Sequence, residues 1–386
     1  MSWEKVKLGD IAVTSSGGTP NRSVKKYWEN GNIPWIKSGQ LKDGIIENAE
    51  EFITEEGLKS SSSKYFKKDT LLLAMYGATA GKLGFLGLDA TTNQAVCSIT
   101  PKTDNLSNRY LFYFLLSQRG QIISDGTGGA QPNISQTYVN NIEVPLPPLP
   151  IQKQIADTLD KADELRKKDE LLLKKYDELA QSIFYDMFGD PVENEKGWEV
   201  KKLKDLITFM TSGSRGWAQY YRNEGDVFLR INNIKNGNVN LKDVVYVEAP
   251  DNAEAKRTSV HTGDVIMSIT ADLGRTAVIP EHLGKAFINQ HLCILRLGKE
   301  INPYYLSYFL ESSGGKRQIL KSDKGGVKAG LNFSDIIDIK ILLPTITLQN
   351  KFAKAVCEIT NGIEICKRTM NKSETLFNGL LNTYFS

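Results

Sequence analysis

The chain has 386 residues, 40% of them apolar and 24% charged, an ordinary globular balance with length for two or three cores. Forty-eight Lys and Arg against 45 Asp and Glu leave a net charge of +3, which excludes a histone-like polycation and confines any nucleic-acid surface to a local patch. No apolar run reaches the ~18 residues of a membrane span, residues 1–10 lack a signal-peptide pattern, and Cys97, Cys293, Cys357 and Cys366 form no CxxC pair, so a reduced, cytoplasmic protein without a membrane partner is expected.

The chain opens on Trp3-Glu4-Lys5-Val6-Lys7-Leu8-Gly9-Asp10. β-rich runs at 32–36, 70–75 and 94–99 follow, broken by Gly, Asn and Asp, as expected of a twisted sheet or partial barrel. A helix is predicted near 106–123, then a Gly-rich loop and a strand at 139–145. From 151 to 187 apolar residues recur at helical spacing with no Gly or Pro between them. Pro150 suits the first helical position, and Gly189 with Pro191 suits the stop.

The order then repeats. Trp198-Glu199-Val200-Lys201-Lys202-Leu203-Lys204-Asp205 echoes the opening at a shift of 195. Strands are predicted at 227–231, 264–269 and 291–297, a helix at 303–321, a strand at 336–343 and a helix at 347–384. Pro147-Pro148-Leu149-Pro150-Ile151-Gln152 returns as Pro344-Thr345-Ile346-Thr347-Leu348-Gln349, at a shift of 197. Neither long helix can bury its stripe alone, and antiparallel pairing would bury both. A rod of roughly 55 Å would then separate two globular units. Gly362, Gly379 and Asn361 make the second helix less regular. The expected fold is thus α+β: two similar α/β domains, at 1–147 and 190–344, separated by antiparallel spacer helices at 148–189 and 345–386 with pseudo-two-fold symmetry. Two similar sites suit a ligand that also presents two sites, and DNA is the obvious one.

Catalytic motifs are missing. Gly77-Ala78-Thr79-Ala80-Gly81-Lys82 is one residue short of a phosphate loop and lacks its Ser/Thr, so it reads as a strand-to-turn segment. His261, His282 and His291 lack metal-ligand spacing. No amino-methyltransferase Asn/Asp-Pro-Pro-aromatic stretch occurs, and no catalytic or metal site is expected.

Polar, Gly-rich loops instead recur at matched places. Ser15, Gly17 and Gly18 match Ser212, Ser214, Arg215 and Trp217. Lys37 and Ser38 match Arg230, Asn232, Asn233 and Lys235. Tyr76, Thr79 and Lys82 match Arg275. Gly128, Gly129 and Gln131 match Gly325, Gly326 and Lys328. Gly amides and Ser/Thr hydroxyls can bind phosphates, and Arg, Asn and Gln can read base edges. Singly, each loop reads better as a solvated turn; the duplication favours a shared binding face. Asn93-Gln94 and Asn289-Gln290 also recur, either satisfying turn backbone or touching a ligand.

In this order and duplicated, these features resemble the specificity subunit of type I restriction-modification systems. The resemblance covers the whole chain. It rests on the Trp-Glu opening of both halves, the Pro-Pro-Leu-Pro-Ile-Gln hinge, Gly-Gly-x-x-Pro-Asn at 128–133, Ser-Gly-Ser-Arg-Gly-Trp-Ala-Gln-Tyr-Tyr at 212–221, and Ser-Ile-Phe-Tyr-Asp-Met-Phe-Gly at 182–189. It implies two target recognition domains reading a split duplex-DNA sequence. It also implies helices that bind modification (methyltransferase) subunits, two of them expected, with restriction subunits joining. S-adenosylmethionine, ATP and Mg would belong to those partners, and this chain would carry no cofactor. Exposed partner-binding positions are expected at Ile183, Phe184, Tyr185, Phe188, Leu380, Leu381 and Tyr384. A protein-binding scaffold, or a self-contained restriction or methylation enzyme, are the competing readings.

Overall fold

The computed structural model describes residues 3–126, 133–235, 237–322 and 330–385. It divides into two compact units, Met1–Glu170 with Arg368–Ser386, and Leu171–Lys367. The cut falls inside both long helices.

Among the described residues each unit has two main sheets, with one two-stranded ribbon in the first unit and two in the second, where the sequence suggested one sheet or partial barrel. In the first unit one sheet runs Ala12–Ser16, Val96–Pro101, Leu71–Ala74, Leu83–Leu86, Gly44–Ile46. The other runs Glu51–Ile53, Ile33–Ile36, Ala90–Thr92, Tyr65–Phe66. The chain changes sheet within a few residues, because Asn93 N–H bonds Ile36 O while Met75 N–H bonds Ala95 O. The second unit repeats the order. Its first sheet is Ile207–Ser212, Leu292–Leu297, Val265–Ser268, Thr276–Val278, and its second contains Val245–Val247, Asp226–Leu229 and Ala286–Ile288. In both units the second sheet keeps one parallel pair beside an antiparallel one. Cys97 and Cys293 occupy equivalent buried strands, and burial pushes each thiol up to about 12.

Local signals move several predicted boundaries. The helix expected at 106–123 is two, Asn108–Ser117 and Arg119–Ser124. Its counterpart divides into Pro303–Glu311 and Ser313–Ser322 at Ser312, whose backbone is extended and whose Oγ accepts the Gly315 N–H. The predicted strand at 139–145 begins instead as a helix, Gln136–Asn141, because Ser135 caps it, and only Glu143–Pro145 is extended. Phe333–Ile337 and Lys340–Leu343 repeat that change.

The long helices span Leu149–Phe188 and Ile346–Phe385. Within the first unit Phe377 and Leu381 share a core with Ile155, Leu159 and Ala162, and Ser373 Oγ donates to Asp169 Oδ2 at 2.8 Å. Within the second, Phe184 and Phe188 pack on Phe352 and Val356. The end of one helix thus meets the start of the other in each unit, which is antiparallel pairing. Gly362 has a packing role rather than being a flaw: a Cβ there would lie 2.9 Å from the Tyr176 ring. Part of the predicted stripe is not buried. Leu165, Leu172, Leu179, Ile365 and Leu376 are all exposed, since a two-helix seam covers a narrower face than the whole apolar stripe.

A buried amide joins each long helix to its domain. Gln152 is 0% exposed; its Nε2 donates to Asn105 O and Pro147 O, and its Oε1 accepts the Ser107 N–H. Gln349 does the same with Glu300 O, Pro344 O and the Asn302 N–H. Tyr110 and Tyr305 add hydroxyl donation to Pro145 O and Leu342 O. Gln152→Ala strands an N–H and two carbonyls, and should lower unfolding free energy by roughly 1–3 kcal/mol. Gln349→Ala should act alike. Urea titration measures both; unchanged midpoints would show that water replaces the amide without loss.

Candidate nucleic-acid interface

Among the described residues, backbone bonds tie the predicted loops, or the strands flanking them, together in each unit. In the first, Gly18 N–H bonds Thr92 O at 2.9 Å, Asn93 N–H bonds Ile36 O at 3.0 Å, and Ile134 N–H bonds Met75 O at 2.7 Å. These bonds bring Ser15, Lys37, Tyr76 and Asn93 to one neighbourhood. In the second, Gly213 N–H bonds Leu292 O at 3.0 Å, Asn289 N–H bonds Leu229 O at 3.1 Å, and Leu331 N–H bonds Ile269 O at 2.9 Å. Thr211 to Trp217, Arg230, and the 269–275 and 289–291 loops are collected the same way.

Several nominated side chains and amides serve the fold. Gly17 and Gly18 are buried and their N–H groups are used internally, so they are not an open phosphate-binding loop. A Cβ on Gly17 would fall 2.0 Å from Thr92 O, so the glycine is needed for close backbone approach. Trp217 is buried and stacked on Phe228 with ring centroids 5.1 Å apart. Asn233 is fully buried; it accepts the Arg230 N–H and donates to Asn240 O. Ser214 is buried and accepts from Arg257. Arg230 is half-buried; its Nη2 donates to Asp243 O at 2.8 Å, and its buried Nε has no partner. Lys37 is paired with Glu50 at 3.2 Å and Glu51 at 2.8 Å, which raises its pKa. Ser15 Oγ accepts from Lys64, and Arg275 pairs with Asp272. Ser38 opens a single 3-10 turn beside Lys37, and Ser212 ends its strand with its carbonyl accepting from Arg257. Burial raises the pKa of Tyr76, which pairs in an isolated bridge with Asn133. Thr79 lies between Leu71–Ala74 and Leu83–Leu86, so the strand-to-turn segment leads into a second strand. Arg215, Asn232 and Lys235 are exposed. Gly128, Gly129, Gln131, Gly325, Gly326 and Lys328 lie outside the described residues.

The partner positions need a correction too. Phe184 and Phe188 are each 2% exposed and sit in the second unit's core against Tyr305 and Phe352, because the helix turns them toward the sheet. Leu381 is buried in the first unit's core, with Leu380 and Tyr384 against that core. Ile183 packs on the second core, and Tyr185 is the exposed member, hydrogen-bonded to Ser313.

Three organisers went unnoticed in the sequence. Arg257, on the short helix Ala253–Thr258, donates to Thr211, Ser212 and Ser214 and fixes the loop that carries Arg215. Arg22 lies 3.7 Å from the Trp28 ring centroid and pairs with Glu51. Asp43 accepts the Leu83 N–H and pairs with Lys82, at 3.0 Å, and with Arg119. No local pattern marks these, since each partner is distant in sequence. Among the described residues no cluster of His, Cys, Asp and Glu could hold a metal, and no helix is long and apolar enough to cross a membrane. His291 instead bonds Thr270 and Gln290.

Two sheets, a proline hinge and a long helix, stated twice, define a class of duplicated recognition modules. The family model described as "Type I restriction modification DNA specificity domain" matches residues 1–176 and 195–374, and the chain belongs to that family. It is similar to the MjaIX specificity subunit of Methanocaldococcus jannaschii, 28% identical over 92% of this chain and 86% of that one. It also resembles the EcoBI specificity subunit of Escherichia coli, 21% identical over 98% of this chain and 84% of that one. Its fold matches the crystal structure of a type I restriction-modification S subunit from M. genitalium at TM-score 0.62, with 16% identity over 100% and 96% of the two chains. The chain is a specificity subunit of a type I restriction-modification system, a non-catalytic component of such a complex.

Asp43 yields a test of how the first site is held. Burial works against its anion, but the Leu83 N–H, Lys82 and Arg119 outweigh that and hold its carboxyl below the ordinary 3.8. A depressed carboxylate contributes stability that is present above the unfolded pKa and lost as pH falls through the folded one. Asp43→Asn should therefore cost on the order of 1–3 kcal/mol at neutral pH, with the gap to the native chain closing in acid. Thermal melts across pH read this; a gap independent of pH would show that the charge is irrelevant.

Proposed function

We propose that residues 1–147 and 190–344 each read one half of a bipartite duplex-DNA target through the gathered loops. The long helices, near 148–189 and 345–386, serve as spacer and as platform for two modification subunits, with restriction subunits joining that core in the cytoplasm. S-adenosylmethionine, ATP and Mg are then the partners' cofactors. One observation carries the reading: equivalent backbone bonds gather equivalent loops in both units, although the side chains on them differ. A shared framework with divergent loop chemistry suits two readers of different sequences. The MjaIX and EcoBI relatives are named specificity subunits, which supports the same assignment.

Among the described nominated residues, Arg215, Asn232 and Lys235 are exposed and so accessible to DNA. Arg215 suits a phosphate, because its loop is fixed by Arg257 rather than by Arg215 itself. Arg215→Ala should weaken all duplexes alike and make the salt slope shallower by about one unit. Asn232→Ala should instead cost about 1–3 kcal/mol against the preferred base and relax choice at one position. Titrations of the assembled complex at several salt concentrations separate these. Uniform loss in Asn232→Ala would remove it as a base reader, and salt-insensitive binding would remove DNA as the ligand.

The exposed leucines offer another candidate for the partner surface. Leu172 is 43% exposed and Leu179 44%, and burying apolar side chains against a partner is favourable. Leu172→Ser with Leu179→Ser should weaken co-purification with the modification subunit while leaving the melting temperature within a few degrees. Phe184→Ser should instead unfold the second unit, at a cost of about 3–5 kcal/mol. If the leucine pair assembles normally, the modification subunit docks elsewhere.

A further inference from the structure

Each unit has a cleft where its recognition domain meets its helix pair, and the repeat makes the two clefts equivalent. At the shift of 197, Phe377, Leu381, Asp163 and Arg166 of the first correspond to Ala180, Phe184, Thr360 and Ile363 of the second. One backbone feature is common to both. The N–H opening the return strand of the hairpin, Leu83 or Thr276, donates to a carboxylate. The carboxylate comes from different places: Asp43 in a loop, at 3.0 Å, and Glu311 at a helix end, at 2.7 Å.

The surroundings differ in charge. In the first cleft Asp43 is paired with Lys82 and Arg119, and Asp163 with Arg166 and Lys167. In the second, Glu311 accepts from Thr276 N and, at 2.9 Å, from Thr276 Oγ1, yet forms no ion pair among the described residues. Lys316 lines the same cleft without reaching ion-pair distance, and burial pushes the Glu311 carboxyl above its ordinary range. A buried anion without a counter-ion is costly. The rings of Tyr176, Phe184 and Tyr308 line the space, and ring faces attract cations. The cavity is about 220 Å³, below the ~300–1,000 Å³ of drug-sized ligand sites but adequate for one alkyl cation.

We propose that the second unit's cleft binds an alkyl-guanidinium or alkyl-ammonium group, with Glu311 receiving the charge that Arg119 supplies to Asp43 within the first unit. The source is an arginine or lysine side chain of an assembled subunit or a free small cation. The site goes beyond the DNA reading and does not depend on it.

Methylguanidine is the probe, with neutral methylurea of similar shape as control, titrated calorimetrically into the full chain. Saturable methylguanidine binding at least tenfold tighter than methylurea is expected. Glu311→Gln keeps the acceptor for Thr276 and should lose that preference at least tenfold, with its melting temperature checking the fold. Lys316→Met should bind the probe as well or better. Equal binding of the two probes, an unaffected Glu311→Gln, or loss in Lys316→Met would each overturn the site. Co-purification with the modification subunit then assigns the source. A tenfold weaker complex in Glu311→Gln, competed by methylguanidine, identifies a partner side chain; an unchanged complex with the probe result intact identifies a free cation.

Discussion

Everything outward of the cores depends on how each long helix leaves its domain, and a buried amide sets that departure. Gln152 and Gln349 satisfy three backbone groups apiece: one N–H at the cap of a domain helix and two carbonyls, one from the loop before that cap and one from the proline hinge. Only a side chain with both donor and acceptor at that reach can serve all three. A buried polar group so placed specifies one geometry, because any rotation leaves it unsatisfied. The first turn of each long helix is thereby locked to the cap of a domain helix, and the apolar seam beyond it inherits a fixed direction. Tyr110 and Tyr305 reinforce the join from the opposite side of the hinge strand.

Between the units, backbone relations persist while side chains change. Gly17 and Gly213 both lie so close to a neighbouring strand that a Cβ would meet carbonyl oxygen, at 2.0 and 2.1 Å. The hairpin N–H of Leu83 and Thr276 finds a carboxylate each time, from unrelated positions. A buried N–H must be paired, but the requirement does not say by whom. That freedom lets a duplicated domain diverge without losing its frame, and it allows the two clefts to differ in how their charges are paired.

How much was legible follows from the range of the interactions. The repeat, the order of elements and both long helices could be read, since periodicity and duplicated motifs are local signals. The division into two sheets could not, because it rests on bonds such as Asn93 N–H to Ile36 O between distant residues. Helix breaks at Gln118 and Ser312 were hidden by continuous apolar spacing. For the site, loop positions were visible and side-chain roles were not. Asn233, Ser214 and Trp217 have the chemistry of DNA ligands, yet the fold uses each one internally. Phe184 and Phe188 failed likewise: an aromatic near a helix end has no sequence mark telling inward from outward.

A net charge of +3 places a further constraint on recognition. Such a chain has little long-range attraction for a polyanion, so its contacts must be few and well placed. Many of its cations are already committed: Lys37, Lys82, Arg119, Arg222 and Arg296 each pair with an acid. Those pairs stiffen the loops while removing charge from the field that DNA would meet. Arg257 illustrates the division of labour, since it spends its donors on Thr211, Ser212 and Ser214 and so presents Arg215 on an ordered loop. Weak overall attraction also favours discrimination. Where phosphate contacts contribute little, a mismatched base is not masked by sequence-independent binding, and on the proposed reading selectivity would rest on the few exposed loop side chains.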